Sequence, residues 1–207
     1  MKNEEKIDCI SPNTGASFDQ WSETPISEFR ESLARVSRHS FPDLATVSSR
    51  RAILLEISHL IEVNRDEFEK IIINEVGKTR AEAVAEIDYS KSFLTYVADL
   101  MKSENFLEKI DKERKVLSVP RGVGLLITPF NDPLAGITRK LANCLGSGAG
   151  AVIKPPELGI KTASKLESII KERRFDHLAT FIRTKDRNLV KKLIDSEEIG
   201  TISFTGS

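Results

Sequence analysis

From residue 123 onward, the sequence alternates between short β-branched runs and longer segments with apolar residues at helical spacing. The predicted strands are residues 123–127, 151–153, 179–182 and 201–204, and the predicted helices between them are residues 134–145, 161–173 and 187–194. A strand followed by a crossover helix and another strand forms a parallel pair, with the helices packed on the faces of the sheet. The alternation therefore predicts an α/β fold with a Rossmann-like parallel sheet. We expect this sheet to be incomplete, because the sequence stops after a strand.

The preceding hundred residues have a mainly helical pattern. Two short strands flank the turn Ser11-Pro-Asn-Thr-Gly15, and a helix then begins after Thr24-Pro25 and ends at Phe41-Pro42. The next predicted helix runs from about Ser48 to Asn64. A helical N-terminal segment therefore leads into the sheet.

Two capping boxes open the following helices. Asn64-Arg-Asp-Glu67 begins a helix that Gly77 closes, and Thr79-Arg-Ala-Glu82 begins another that runs to about residue 101. We expect residues 1–101 to hold the N-terminal strands and helices and residues 102–207 to hold the truncated, Rossmann-like part. Together the two parts are expected to form one structural domain.

Charge and cysteine content exclude several classes of protein. The 31 Lys and Arg residues balance the 31 Asp and Glu residues, whereas a nucleic-acid binder normally carries a basic excess. Two cysteines cannot build a disulfide scaffold, and the three histidines give no metal-ligand spacing. No apolar run approaches the length of a membrane span, and the charged N-terminus has no signal-peptide core. We expect a cytoplasmic protein that binds no nucleic acid, membrane or metal.

Two loops follow predicted strands at the edge where open α/β sheets bind ligands. The loop Thr128-Pro-Phe-Asn-Asp-Pro133 offers the uncharged N–H donors of Asn131, which suit a developing oxyanion but are also typical of a turn. The loop Lys154-Pro-Pro-Glu157 offers one donor and one acceptor for ribose hydroxyls, or an ordinary solvated ion pair. Spacing alone leaves both choices open. The glycines of Gly146-Ser-Gly-Ala-Gly150 leave a helix and enter a strand, so they predict a tight turn and not a dinucleotide loop.

The combination of motifs is more specific than any one of them. Four segments occur in a fixed order: Pro120-Arg-Gly-Val-Gly-Leu-Leu-Ile-Thr-Pro-Phe-Asn-Asp-Pro133, Lys140-Leu-Ala with Gly148, Ala151-Val-Ile-Lys-Pro-Pro-Glu157, and Ile202-Ser-Phe-Thr-Gly-Ser207. Upstream stand Pro12-Asn-Thr-Gly15, Arg51-x-x-Leu54 and Glu75-x-Gly-Lys78 with Glu82 and Glu86. This series resembles the aldehyde dehydrogenase superfamily over nearly the whole chain, and it corresponds to the N-terminal part of that family.

The resemblance implies a role for each matching residue. Ile127, Thr128, Pro129 and Phe130 would line the nicotinamide side of the cofactor, and Asn131 would be the oxyanion-hole side chain. Lys154 and Glu157 would contact the adenosine ribose, and Gly206 and Ser207 would begin the pyrophosphate-binding turn. The implied cofactor is NAD, since the Glu157 carboxylate repels a 2′-phosphate, although NADP is not excluded.

The resemblance also implies an incomplete reaction centre. In the family a cysteine thiolate attacks the aldehyde, hydride passes to the nicotinamide, and a glutamate activates water. Neither the nucleophile segment nor the glutamate segment occurs in these 207 residues. Cys144 lies in an apolar run and is expected to be a buried packing thiol. The chain is therefore expected to be the cofactor-binding portion of an NAD-dependent aldehyde dehydrogenase, inactive alone, with an aldehyde as substrate only when the catalytic half is supplied.

Three alternatives remain open at this point. The chain is a non-catalytic nucleotide-binding module, an assembly module, or a truncated fragment without a function of its own. Family members generally oligomerise through a β-hairpin arm, and residues 106–119 resemble its position. A homo-oligomer or a complex with a full-length homologue is therefore the expected assembly, and an unpaired sheet edge adds to the tendency to associate.

Overall fold

The computed structural model describes residues 6–101, 107–109, 115–117 and 119–206. The strands are β1 (Ile7–Ile10), β2 (Ser17–Trp21), β3 (Leu107–Lys109), β4 (Lys115–Leu117), β5 (Val123–Ile127), β6 (Ala151–Lys154), β7 (Ala179–Phe181) and β8 (Ile199–Phe204). The helices are α1 (Ile26–Leu44), α2 (Val47–Val63), α3 (Arg65–Val76), α4 (Arg80–Leu100), α5 (Pro133–Gly146), α6 (Ile160–Glu172) and α7 (Arg187–Ile194). A short 3-10 turn covers Glu157–Gly159.

The alternating part of the chain forms a four-stranded sheet in the order β7-β6-β5-β8. All three strand pairs are parallel, as the crossover helices require. Ile127 at the end of β5 is in register with Lys154 of β6 and Phe204 of β8, so the carboxyl ends of these strands meet at one edge. The predicted fold class is therefore confirmed: a helical N-terminal segment leads into a Rossmann-like parallel sheet.

Side chains of the sheet alternate between two apolar cores. On one face Leu126 and Ile153 pack in the same cluster as residues of α2, α4, α5 and α6. On the other face Leu125 and Val152 pack with α1 and α7, including Phe29 of α1. Successive residues of a strand point to opposite faces, and so β-branched runs without polar interruptions suit a sheet that is covered on both sides. The first of these cores thus joins the helical segment to the sheet.

The predicted end of α1 at Phe41-Pro42 is wrong, because the helix continues to Leu44. Proline removes one backbone donor, but its fixed φ is compatible with a helix. The predicted capping box at Asn64 is also wrong. Asn64 follows α2 directly, and its Nδ2 donates to the Leu60 carbonyl at 2.8 Å, so it closes α2 and makes no side-chain cap for α3. The Thr79 capping box is confirmed, with the Thr79 and Glu82 side chains each bonding the other residue's backbone N–H.

Two antiparallel hairpins lie outside the main sheet. β1 pairs with β2 around the predicted turn, where Gly15 has a φ of +70°. β3 pairs with β4 in the segment that resembles the position of the family's arm. No helix in the described ranges is long and apolar enough to cross a bilayer.

Candidate functional site

A cleft of about 1010 Å³ lies between α4, α5 and the carboxyl end of the sheet. Its lining includes Lys78, Tyr89, Asn131, Arg139 and Ser203. Asn131 therefore lies in this cleft, next to the sheet edge at which open α/β folds bind ligands.

The loop after β5 is fixed by its backbone and its prolines. The Thr128 N–H donates to the Lys154 carbonyl at 3.2 Å, which continues the pairing of β5 with β6. Pro129 packs against Gly136 of α5 so closely that a Cβ at Gly136 would lie 3.0 Å from Pro129 Cδ. Phe130 is 54% exposed. The loop backbone is thus held rigidly, while its aromatic ring remains available for contact.

Thr128 carries an unsatisfied polar atom in this loop. Its side chain is buried, and Oγ1 has no hydrogen-bond partner among the described residues. A buried hydroxyl without a partner costs about 1–3 kcal/mol, so a bound water or a ligand atom would stabilise it. The residue lies where the resemblance places the cofactor wall, and its hydroxyl suits a polar ligand atom.

The Asn131 amide is oriented by its neighbour Asp132. Asn131 Nδ2 donates to Asp132 Oδ2 at 2.7 Å, while Lys78 Nζ lies 2.5 Å from Asp132 Oδ1. Because the amide group is planar, fixing one N–H also fixes the direction of the other. The ammonium group of Lys78 offsets the negative charge that Asp132 brings close to this donor.

Two glutamates of the helical segment cap the first turns of α5 and α6. Glu86 Oε1 accepts from the backbone N–H groups of Leu134 and Ala135 at 2.8 and 3.0 Å, and Glu86 Oε2 lies 2.6 Å from Lys78 Nζ. Glu75 accepts from the N–H groups of Lys161 and Thr162. Carboxylates of the chain thus occupy the two helix N-termini that would otherwise attract an anion. A dinucleotide phosphate is therefore not expected at α5 or α6.

Burial governs the pKa of the second capping carboxylate. The pKa of Glu75 is raised because burial penalises the charged form, and the hydrogen bonds from Thr162 and Lys161 offset part of that effect. Burial acts against the charged form of Lys78 as well, but the hydrogen bonds to Asp132 and Glu86 raise the pKa of its ammonium group. Lys78 thus stays protonated between the two carboxylates.

Lys154 and Glu157 lie together at the carboxyl end of β6. Lys154 is the last residue of that strand and is half-buried, and Glu157 begins the 3-10 turn with its side chain exposed. Burial lowers the pKa of Lys154, and the charge of Glu157 counteracts this shift. A donor and an acceptor are thus placed side by side at the sheet edge, as ribose hydroxyls require.

Neither cysteine is suited to be a nucleophile. Cys144 is 8% exposed, and burial raises the pKa of its thiol to about 12. Its sulfur packs on Gly124, where a Cβ would lie 2.6 Å from Sγ. Burial also raises the pKa of Cys9 to about 11. Since the thiolate is the reactive form, both thiols are expected to be inert.

The structure brings most of the sequence-derived site residues to one edge of the sheet. Ile127 ends β5 and is followed by Thr128 and Pro129, Lys154 ends β6, and the exposed Gly206 follows β8. Ser207 lies outside the described residues. The glycine cluster after α5 forms the predicted helix-to-strand turn, in which Gly148 has a φ of +88°. Across the described part of the chain, no group of three or more potential metal ligands is found.

Sequence reasoning quoted Glu75, Lys78 and Glu86 as motif residues but gave them no role. The signal for Glu86 was its spacing, because it falls on the same face of α4 as the buried residues Ala83 and Ile87. A charged residue on an apolar stripe calls for a buried partner. Which partner it takes depends on the packing of α4 against α5, and no local pattern reports that packing.

A parallel sheet of this order, with helices on both faces and polar side chains at the carboxyl ends of its central strands, defines a doubly wound α/β protein of the Rossmann type. A sequence model of the aldehyde dehydrogenase family matches residues 1–207. The chain therefore belongs to the aldehyde dehydrogenase family.

Comparison with individual proteins agrees with this assignment. The chain is 31% identical over 206 residues to the mitochondrial succinate-semialdehyde dehydrogenase of Rattus norvegicus. The aligned region covers 95% of this chain and 39% of the rat protein. It is 28% identical over 213 residues to the D-glyceraldehyde dehydrogenase (NADP(+)) of Thermoplasma acidophilum, covering 97% of this chain and 42% of that protein. A crystal structure of an aldehyde dehydrogenase from Brucella melitensis superposes with a TM-score of 0.91 at 27% identity, over 98% of this chain and 43% of the other. The chain thus spans about two fifths of the length of these relatives.

Proposed function

We propose that this chain forms the dinucleotide-binding part of an aldehyde-oxidising enzyme and supplies the amide that stabilises negative charge on the aldehyde oxygen. The observation that carries the proposal is the position of Asn131 in the large cleft, at the same sheet edge as the Lys154 and Glu157 pair. A donor for the reacting oxygen and a donor–acceptor pair for a ribose thereby lie on neighbouring strands. The expected cofactor is NAD, with NADP as the alternative.

The donor set of this edge fits a dinucleotide. Ile127, Thr128, Pro129 and Phe130 provide an apolar wall with one unsatisfied hydroxyl, and an exposed ring at its end. Lys154 and Glu157 would hold the adenosine ribose, and Gly206 with Ser207 would begin the turn for the phosphates. This assignment leaves the phosphates to a helix beyond β8, since Glu75 and Glu86 already cap α6 and α5. When bound, the dinucleotide supplies the hydride acceptor for the oxidation.

Asn131 acts on the oxygen of the aldehyde. One N–H of its amide is held by Asp132, so the direction of the other is fixed as well and needs no rotation at the moment of reaction. A fixed neutral donor stabilises the charge that develops on the oxygen and needs no proton transfer. Removal of one such donor typically costs about 10²–10³ in kcat.

The nucleophile is expected to come from polypeptide outside these 207 residues, because Cys9 and Cys144 are both buried with raised thiol pKa values. The resemblance places the general base outside them as well. The chain alone is therefore expected to bind nucleotide without turnover. We propose that it joins the missing part, a second copy or a full-length homologue through the β3–β4 hairpin and the edge strand β8. Its two free thiols favour a reducing compartment such as the cytoplasm.

A carboxylate-bearing aldehyde is the substrate class that we favour. The rat relative is named for succinate semialdehyde, which carries a carboxylate beside the aldehyde. Arg139 lines the cleft, with its guanidinium 6.0 Å from the centroid of the Tyr89 ring and 5.9 Å from that of Phe93. Within the described ranges no carboxylate forms a salt bridge with Arg139, so its charge is available for an anionic group of the substrate.

The test of the proposal is a thermal melt of the purified chain followed by circular dichroism, with and without NAD and NADP near 1 mM. One cooperative transition is expected, because one core joins the helical segment and the sheet. A nucleotide present at about 100 times its Kd would add about 2.7 kcal/mol of stability, which shifts the transition by several degrees. A cooperative transition that neither nucleotide moves would contradict the cofactor-binding role and favour an assembly module.

A further inference from the structure

Two lysines line the large cleft, and their partners differ. Lys140 of α5 donates from Nζ to Ser203 Oγ of β8 at 2.8 Å, and among the described residues no carboxylate forms a salt bridge with it. Lys78 instead lies between two carboxylates, those of Glu86 and Asp132. The Lys140 amine is thus hydrogen-bonded to a neutral hydroxyl in a cavity large enough for a small ligand.

Ser203 places the Lys140 amine near the carboxyl end of the sheet. Ser203 is in register with Leu126, one residue before β5 ends. The loop that carries Asn131 follows directly, and Asn131 and Arg139 line the same cleft as Lys140. Side chains of a helix lean toward its N-terminus, which for α5 is the end next to this loop. An amine, a neutral N–H donor and a guanidinium group therefore open onto one cavity.

The surroundings of Lys140 favour the neutral amine. Burial lowers the pKa of Lys140, and the positive charge of Arg139 lowers it further. Burial also acts against the charged form of Lys78, but its hydrogen bonds to Asp132 and Glu86 outweigh that effect and raise its pKa. A lysine that is desolvated or placed beside a second cation becomes a nucleophile toward carbonyl compounds. Of these two cleft lysines, Lys140 is the one suited to attack an aldehyde.

We propose that Lys140 captures aldehydes in the cleft as an imine, a reversible activity separate from their oxidation. The Nζ lone pair forms a bond to the carbonyl carbon, and the carbonyl oxygen leaves as water with the two protons of the neutral amine. No group is oxidised or reduced in this step. The favoured aldehyde carries a carboxylate, which the guanidinium of Arg139 binds. The inference rests on the proposed function only in that the aldehyde enters this cleft.

The experiment is a reductive trap on the 207-residue chain. An equimolar amount of succinate semialdehyde is added with sodium cyanoborohydride, which reduces an imine to a stable secondary amine, and peptide mass mapping locates the modified lysines. We expect Lys140 to be modified about 10-fold faster than Lys154 or the exposed Lys191. Lys154 is the informative comparison, because burial lowers its pKa as well but it does not line the cleft.

Two variants and a second aldehyde sharpen the test. Lys140→Arg keeps a cation beside Ser203 but removes the nucleophile, so it should abolish the rapid modification. Lys191→Arg, on the exposed side of α7, is the matched control and should keep it. Propanal lacks the carboxylate, and we expect it to modify Lys140 about 5-fold more slowly than succinate semialdehyde does. Arg139→Gln is expected to bring the two rates together.

The outcomes separate this inference from the proposed function. If the lysines react at similar rates, or if Lys154 or Lys191 reacts first, the inference is overturned, while the nucleotide-dependent melt still decides the cofactor-binding role. The map of the parent chain gives this answer whether or not Lys140→Arg folds. Selective modification of Lys140 in a chain whose melt neither NAD nor NADP moves would support the imine site and contradict the cofactor-binding role. Equal rates for the two aldehydes in the parent would overturn the role of Arg139 in the capture.

Discussion

The Glu86 carboxylate accepts a 2.8 Å hydrogen bond from the backbone N–H of Leu134, a residue 48 positions later in the chain. Through this bond α4 of the helical segment caps α5 of the sheet-bearing part. Glu75 of α3 makes the corresponding contact with the first turn of α6, 87 residues from Thr162. The two parts of the chain are therefore joined by buried polar contacts as well as by their common apolar core.

Replacement of Lys78 by Met is expected to destabilise the fold by about 3 kcal/mol, because it leaves the Glu86 and Asp132 carboxylates without their cation. The Glu86 side chain is 2% exposed, so water cannot take the place of the ammonium group. Urea denaturation followed by circular dichroism measures the change. Lys70→Met, at an exposed position of α3, is the control and should stay within about 0.5 kcal/mol of the parent. Equal stability of the two variants would show that the Lys78 contacts contribute nothing.

Glu75 is expected to make stability fall as the pH rises. Burial raises the pKa of this carboxyl above its usual value of 4.5, so the folded chain holds the proton more tightly than the unfolded chain. Its contribution is fully present below the unfolded pKa and is lost as the pH passes through the raised folded pKa. The free energy of unfolding of the parent, relative to that of Glu75→Gln, should therefore decrease as the pH rises above the usual carboxyl pKa of 4.5. An increase of this free energy difference with pH would mean that the hydrogen bonds from α6 lower the pKa of Glu75 by more than burial raises it.

The two sequence-predicted capping boxes should respond differently to mutation. Thr79→Ala removes a side-chain acceptor from the Glu82 N–H and is expected to cost about 1 kcal/mol. Asn64→Asp would be harmless if Asn64 capped α3, since aspartate is an equally good N-cap. The structure instead has Asn64 Nδ2 donating to the Leu60 carbonyl, and aspartate lacks that donor. Thermal melts should therefore show a lower melting temperature for Asn64→Asp than for the parent. An unchanged or higher melting temperature would support the predicted capping box at Asn64.

Both thiols should be unreactive in the folded chain. With thiol pKa values of about 12 for Cys144 and about 11 for Cys9, the thiolate fraction at pH 8 is about 10⁻⁴ and 10⁻³, respectively. Ellman's reagent should label neither cysteine until denaturant is added. The same chain should form no NADH at 340 nm from any aldehyde. Rapid labelling of Cys144 in the native state, or turnover that Cys144→Ala abolishes, would identify it as a nucleophile.

Arg139 should govern the binding of anions in the cleft. Succinate, as a stand-in for the carboxylate end of the substrate, is expected to shift amide resonances of α4 and α5, and Arg139→Gln should weaken its binding about 5-fold or more. Arg187→Gln, at the exposed start of α7, serves as the control for a general loss of positive charge. Unchanged succinate binding in Arg139→Gln would remove the support for a carboxylate-bearing substrate.

Much of the fold could be predicted because its elements are encoded locally. α7 begins at Arg187 and ends at Ile194 as predicted, and β5 covers the predicted Val123–Ile127. The errors fall at Pro42 and Asn64, where one residue is compatible with two local structures. Pro42 suits a helix end and also a helix interior that lacks one donor, and Asn64 suits the end of α2 and also the start of α3.

The sequence by itself determined the order and type of the elements and the placement of Asn131, Lys154 and Glu157 after strands, because hydrophobic periods of 2 and 3.6 act over a few residues. Only the tertiary structure decided how the charges pair. Glu86 meets Lys78 and α5, and Lys185 meets Glu157, because separate elements approach one another in the folded core. The energy of such a contact depends on how far water is excluded from both partners, and that exclusion exists only once the chain has packed.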